Sequence, residues 1–226
     1  MARTEKYTHF DPAPSRASRL IPRSSKGHFV GQLVFDLKGK PQCLGFESLL
    51  EYQAALCLIY HHDVGDIEEQ VAPVVYKRRS GKVASHHLDF RVTLVQGRRI
   101  GIAVKPEVIA MTHDFQSDIR AIRSAAVPHV VHDICVVTER NIHPVTLHNA
   151  KLFHAARRRQ PEIDTIILEA ANSTREPSTI REFLDRTGLK GTGFHGVARG
   201  IRSGAIMHVD GGRITGDSLI RGGEVA

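Results

Sequence analysis

The chain has no tryptophan, only three cysteines and 6% aromatic residues in 226 positions. Cys43, Cys57 and Cys135 are isolated, odd in number and contain no CxxC pair. That argues against a disulfide scaffold and fits reduced core residues. No stretch approaches the roughly 20 apolar residues that a membrane helix needs. Met1 to Gly27 is polar and basic and lacks the apolar core of a secretory signal. The expectation is a soluble cytoplasmic protein with no membrane partner. A Gly-Lys-Ser phosphate loop is also missing, and Ser24 and Ser25 sit in no nucleophile-elbow context. These absences argue against a nucleotide hydrolase and a serine hydrolase.

Charge is not scarce. There are 31 Lys and Arg against 24 Asp and Glu, a formal net charge of +7. A basic surface suits a polyanion such as double-stranded DNA, because each neutralised phosphate releases counterions. Charge alone does not specify that partner.

The pattern along the chain divides it into three parts. Residues 1–27 carry Pro12, Pro14, several Ser and the basic Arg16, Arg19, Arg23 and Lys26, which predicts a mobile basic arm. Residues 28–160 predict strand, helix, three strands, helix, strand, helix. The strands are His28 to Asp36, Val71 to Lys77, Val83 to Val95, Ile100 to Lys105 and His129 to Val137. The helices are Phe46 to Ile59, Ser117 to Ala126 and Val145 to Arg159. Gly81 and Gly97 mark hairpins, so the three central strands should form an antiparallel meander. The fold class is α/β, a mixed sheet flanked by helices.

Residues 161–226 differ. Glu162 to Ala171 favours a helix. Thr179 and Glu182 can form a capping box for a helix from Ile180 to Thr187, which Gly188 can close. A second helix is expected from Phe194 to Arg202. A small hairpin should follow, Ala205 to Val209 against Arg213 to Thr215. Helix, turn, helix, hairpin is the plan of a winged helix. Arg199 and Arg202 on the second helix are candidate DNA contacts. A small cap domain that binds protein or nothing satisfies the same pattern.

Three charged residues form a candidate constellation: Glu51 on the first helix, and two charges inside otherwise apolar strand runs, Asp89 within HHLDF and Lys105 within GIAVKP. Hydrolysis of a phosphodiester near neutral pH commonly uses a hard cation, which polarises the phosphate and activates water. Mg²⁺ prefers carboxylate oxygens and retains several waters. A nearby lysine can orient the nucleophile or stabilise developing charge. Buried charges are costly unless paired or metal-bound. An Asp89–Lys105 ion pair that merely plugs a sheet end fits the same spacing. His86 and His87 flank Asp89; one should pack and the other face solvent, since strand neighbours point to opposite sides. His61, His62 and Asp63 lack a second ligand pair and read as a loop.

The run ESLLEYQAALCLIYHHDVGDIEEQ, then LDFRV, then IGIAVKP, then VPHVVHDICVVTERNIHPVTLHNAKLFHAAR resembles, in order and spacing, the TnsA family of transposon-end endonucleases. The similarity covers about Ser25 to Arg157. It implies a restriction-endonuclease-like PD-(D/E)xK core followed by a winged-helix-like C-terminal domain. It implies Mg²⁺-dependent (or Mn²⁺-dependent) cleavage of 5′ transposon ends in the bacterial cytoplasm. The implied partners are a TnsB-like transposase and a TnsC-like AAA+ ATPase. The family's helix Glu maps onto Glu51, its strand Asp onto Asp89 and its Lys onto Lys105. The residue two before that Lys should be Glu, Asp or Gln, and here it is Ala103. A methyl cannot bind a metal. The backbone carbonyl of Val104 is then a candidate ligand beside Glu51 and Asp89, and Glu47 or Glu69 can move in. The alternative is a catalytically inactive TnsA-like protein that binds DNA, supports assembly or regulates transcription.

Overall fold

A computed structural model describes residues 11–21, 29–37 and 39–223. The chain forms two compact units that divide between Asn141 and Ile142. Both contain helices and strands, so the architecture is mixed α/β. No helix among the described residues is long and apolar enough to cross a membrane.

In the first unit, β1 (Gly31–Phe35) pairs antiparallel with β2 (Gln42–Phe46), with Leu33 opposite Leu44. Gly39, at φ +75°, makes the turn between them. The first helix, α1, runs Leu49–Ile59. It starts later than its apolar spacing predicts, because Phe46 closes β2 and the Ser48 side chain caps the helix by accepting from the Glu51 N–H. Next come β3 (Val64–Glu69), β4 (Val74–Lys77), β5 (Val83–His86), β6 (Phe90–Leu94) and β7 (Arg99–Val104). Helices α2 (Glu107–Ala110) and α3 (His113–Ala126) lead to β8 (Asp133–Val137).

The two antiparallel pairings expected across Gly81 and Gly97 form, but in two separate ladders rather than one three-strand meander. A four-stranded mixed sheet has the order β3-β6-β7-β8, antiparallel except for the parallel β7–β8 pair. A separate β4–β5 hairpin packs on α3. The run Val83 to Val95 breaks because Leu88 and Asp89 are both buried, which a continuous alternating strand does not allow. Strand β3 lies between the expected helix Phe46 to Ile59 and the expected strand Val71 to Lys77, where the sequence pattern predicts no strand. Its acidic residues mask one fully buried apolar position, Ile67.

The apolar cluster under α3 comprises Val74, Tyr76, Leu88, Ala103, Ile119, Ile122, Ala126, Val131 and Ile134. Fully burying a Leu or Ile side chain contributes about 1.5–3 kcal/mol. This cluster therefore fixes the ends of β6 and β7 against the helix. Helix α1 packs on β3 and β7.

The second unit contains α4 (Pro144–Ala155), α5 (Pro161–Ser173), α6 (Ile180–Thr187) and α7 (Phe194–Ser203). A small antiparallel sheet has the order β10-β11-β9, with β9 at Ser178–Thr179, β10 at Ile206–His208 and β11 at Leu219–Gly222. Helix α4 thus belongs to this unit, not to a first domain ending near residue 160. Thr179 and Glu182 form the capping box, and Gly188, at φ +72°, closes α6. The strand expected at Arg213 to Thr215 is instead a loop. The Asn149 side chain pins it by accepting from Ile214 N–H at 2.9 Å and donating to Gly212 O at 3.0 Å. The partner of β10 is β11.

Candidate active site

Asp89 and Lys105 lie next to paired strands. Asp89 immediately precedes β6, and Lys105 immediately follows β7. Phe90 pairs with Ile102, so the antiparallel register carries both charges to the same end of the sheet. The Lys105 Nζ is 3.8 Å from Asp89 Oδ2. The same oxygen accepts the Val104 backbone N–H at 2.7 Å. In a strand, the N–H and C=O of one residue point to the same edge. The carbonyl of Val104 is therefore also on the Asp89 side.

Asp89 is buried at 7% exposure. Burial pushes its carboxyl above the usual range, against the opposing pull of Lys105 and the Val104 N–H. Glu51, in the first turn of α1, is also buried. Its Oε2 accepts the Glu47 N–H at 2.9 Å, and its Oε1 accepts the Ser48 hydroxyl at 3.1 Å. Burial raises its carboxyl too, opposed by the Glu47 N–H and reinforced by the negative charge of Asp89. A buried carboxylate whose ionisation is made costlier by a second buried carboxylate nearby is suited to a cation.

Ala103 is fully buried in the apolar cluster with Leu88, Ile119, Ile122 and Ile134. It offers no ligand atom. The other acids gather along β3. Glu69 is 1% exposed; its Oε1 accepts the Gly45 N–H at 3.2 Å and the Ser15 hydroxyl, while its Oε2 is buried with no hydrogen-bond partner. Gln70 follows in the left-handed region at φ +43° and donates its N–H to Asp89 O at 2.9 Å. Its side-chain amide lies 3.4 Å from Glu47 Oε2.

Residues 11–21 of the predicted mobile arm are docked; 1–10 and 22–27 lie outside the described residues. Ala13 bonds to Pro41 and Cys43 through the backbone, both at 2.8 Å. Arg16 makes a two-pronged contact with Asp66, at 2.7 and 3.0 Å. Ser18 donates its N–H and its hydroxyl to Gln70 O, at 3.0 and 2.6 Å. Arg19 donates to Gln70 Oε1 at 3.0 Å and pairs with both oxygens of Glu47. Sequence reasoning missed this docking. It rests on polar contacts between segments 28 to 54 residues apart, which leave no periodic signal.

Both His86 and His87 are half-buried, contrary to the expected in–out pair. Burial, with Lys105 and His87, lowers the His86 imidazole's affinity for a proton, against the pull of Asp89. Its Nε2 is shielded and without a hydrogen-bond partner. His61, His62 and Asp63 bring their ligand atoms within 4.8 Å of one another, the one such group among the described residues. The two histidines are exposed and stacked.

In the second unit, Arg199 gives its guanidinium to internal acceptors. These are Asp164 Oδ1 at 2.6 and 2.8 Å, Ala156 O at 2.9 Å and Gln160 Oε1 at 3.2 Å. It clamps α7 to α5 and does not present its donors outward as expected of a DNA contact. Arg202 is exposed on α7.

No protein-family model matches the chain, and no curated protein matches it.

Proposed function

We propose that the chain is a metal-dependent DNA endonuclease of the TnsA type, with a restriction-endonuclease-like core and a winged-helix-like tail. The observation that carries this reading is the Asp89–Lys105 pair at the end of two adjacent strands, with a second buried carboxylate, Glu51, close enough to feel the charge of Asp89. A purely structural pair needs no second buried acid.

The donor set fits a divalent cation. Mg²⁺ takes few protein carboxylates and keeps water in its remaining positions. Asp89 and Glu51 would supply two oxygens, and the Val104 carbonyl would supply a third. When bound, the ion polarises the scissile phosphate and activates a water. Lys105 orients that water or stabilises the charge that develops on phosphorus. The substrate in this reading is double-stranded transposon-end DNA. A TnsB-like transposase and a TnsC-like AAA+ ATPase supply the other strand's cleavage and regulation.

A second reading has its own observation. Ala103 belongs to the apolar core, and Arg19 already neutralises Glu47. In that reading the site is silent and the protein serves assembly or regulation on DNA.

Calorimetric titration with Mn²⁺ or Mg²⁺, comparing the chain with Asp89→Ala, separates the two. Binding that Asp89→Ala abolishes supports the endonuclease and makes nicking assays with partner proteins the next step. Binding that survives the substitution comes from elsewhere, such as the exposed His61-His62-Asp63 group. No binding at millimolar metal with DNA present leaves the silent reading.

A further inference from the structure

We infer that Ser15 to Arg19 is a strap that closes the carboxylate site, with the Arg19 guanidinium holding a positive charge beside the carboxylates that would bind a divalent cation. The inference rests on the metal-binding reading above and names how that site is regulated.

The strap's contacts converge on one ring of acceptors. Ser15 meets Glu69, and Arg16 meets Asp66 and the Ile67 carbonyl. Ser18 meets the Gln70 carbonyl, and Arg19 meets Glu47 and the Gln70 side chain. Glu47 in turn holds Glu51 through its backbone N–H. The charge of Arg19 also reaches Asp89, where it favours the ionised carboxyl. One guanidinium therefore touches the acid next to Glu51 and acts electrostatically on Asp89, which is what a bound cation would do.

The attachment is uneven along its length. At Ala13 two backbone hydrogen bonds tie the segment to the β1–β2 side of the unit. From Ser15 onward it is held largely by side chains. The Arg19–Glu47 pair is partly exposed, at 38% and 23%. Exposed ion pairs are weak and screened by salt. The backbone tie is thus the hinge, and the Arg19 end is the part that lets go. A cation held by Asp89 and Glu51 would face the Arg19 guanidinium on the neighbouring Glu47, and the two like charges repel, so metal and Arg19 compete.

The test is Mn²⁺ titration of the full chain by calorimetry, comparing wild type with Arg19→Ala and Arg19→Gln. The glutamine keeps length and hydrogen bonding while removing charge, so it stands if the alanine variant folds poorly. Both variants should bind Mn²⁺ about tenfold more tightly, and Asp89→Ala added to either should abolish the gain. In the wild type, saturating Mn²⁺ should also speed hydrogen exchange at the Ser18 amide, now bonded to Gln70 O. Equal affinity in wild type and both variants overturns the strap and leaves the metal site standing. A tighter affinity that persists with Asp89→Ala also overturns it. Absence of binding in every protein removes the metal reading, and the strap falls with it.

Discussion

Lys105→Ala tests the electrostatics of the site most directly. Two unit charges near 4 Å attract by about 4 kcal/mol at an effective dielectric of ~20. The pair here is 3.8 Å apart, with the lysine side chain 32% exposed and the aspartate 9%. Solvent at the ammonium reduces the net effect, and removing it leaves a carboxylate in a buried setting. The expected loss is about 1–3 kcal/mol at neutral pH. The sign of the pH dependence follows from Asp89, whose carboxyl burial already raises. A raised acid stabilises the fold most when protonated, and that contribution disappears as pH climbs through its raised value. Removing Lys105 raises it further, so the variant should lose more stability between pH 5 and pH 8 than the wild type does. Urea denaturation at both pH values measures this. Asp89→Asn combined with Lys105→Ala should recover most of the loss, since no buried charge is then stranded. A penalty that is equal at both pH values and additive with Asp89→Asn would refute the coupling.

Thr179→Ala removes the capping box of α6 and should cost about 1 kcal/mol in thermal denaturation, while Thr179→Ser should cost much less. Gly101→Ala places a methyl 2.7 Å from Leu88 Cδ1 beneath the site, so a loss of about 1–3 kcal/mol is expected; an unchanged urea midpoint would mean the cluster can yield. Burial, helped by Arg157, lowers His154 to about 4 from 6.5. A depressed base contributes stability above 6.5 that is lost as pH falls toward 4. Discounted for its partial exposure, that loss is about 1–2 kcal/mol. His154→Gln should flatten the acid limb of the unfolding curve, and an identical limb in both proteins would contradict the assignment.

The elements that were legible in sequence are those whose local signals agree. Helix α6 matches its expected bounds because Ile180, Phe183 and Leu184 recur on one face, Thr179 and Glu182 cap it and Gly188 ends it. Strand β3 was not legible. Asp66 and Glu68 are matched by Arg16 and Arg91, partners drawn from other segments, so the strand looks like a polar link. The hairpin partner of β10 was misplaced for a related reason. Ile214 is buried and looks like a strand residue, yet Asn149 holds it in a loop. At the site, Asp89 and Lys105 were legible as charges in apolar strand runs and Glu51 as an acid on the first helix, and the hairpin register explains why Asp89 and Lys105 meet. Gln70 and Arg19 were not, because their placement depends on tertiary hydrogen bonds and one left-handed backbone conformation.

Ala103 takes on a different weight once the core is in view. Its methyl packs with Leu88 and Ile134, which also sit beneath the sheet end that carries Asp89 and Lys105. A charged side chain introduced there meets an apolar cluster, at the cost of overpacking and of an unpaired buried charge. With Ala103 rather than an acid on β7, acids stand at the end of β3 and before α1, where Glu69 keeps one oxygen unpartnered and Glu47 holds Arg19. Both of these acids are engaged by the docked N-terminal segment, Glu47 through Arg19 and Glu69 through Ser15. In the metal-binding reading, that ties the affinity of the site to the position of the strap. A substitution on the strap should consequently move the affinity of the site more than a new acid placed at position 103.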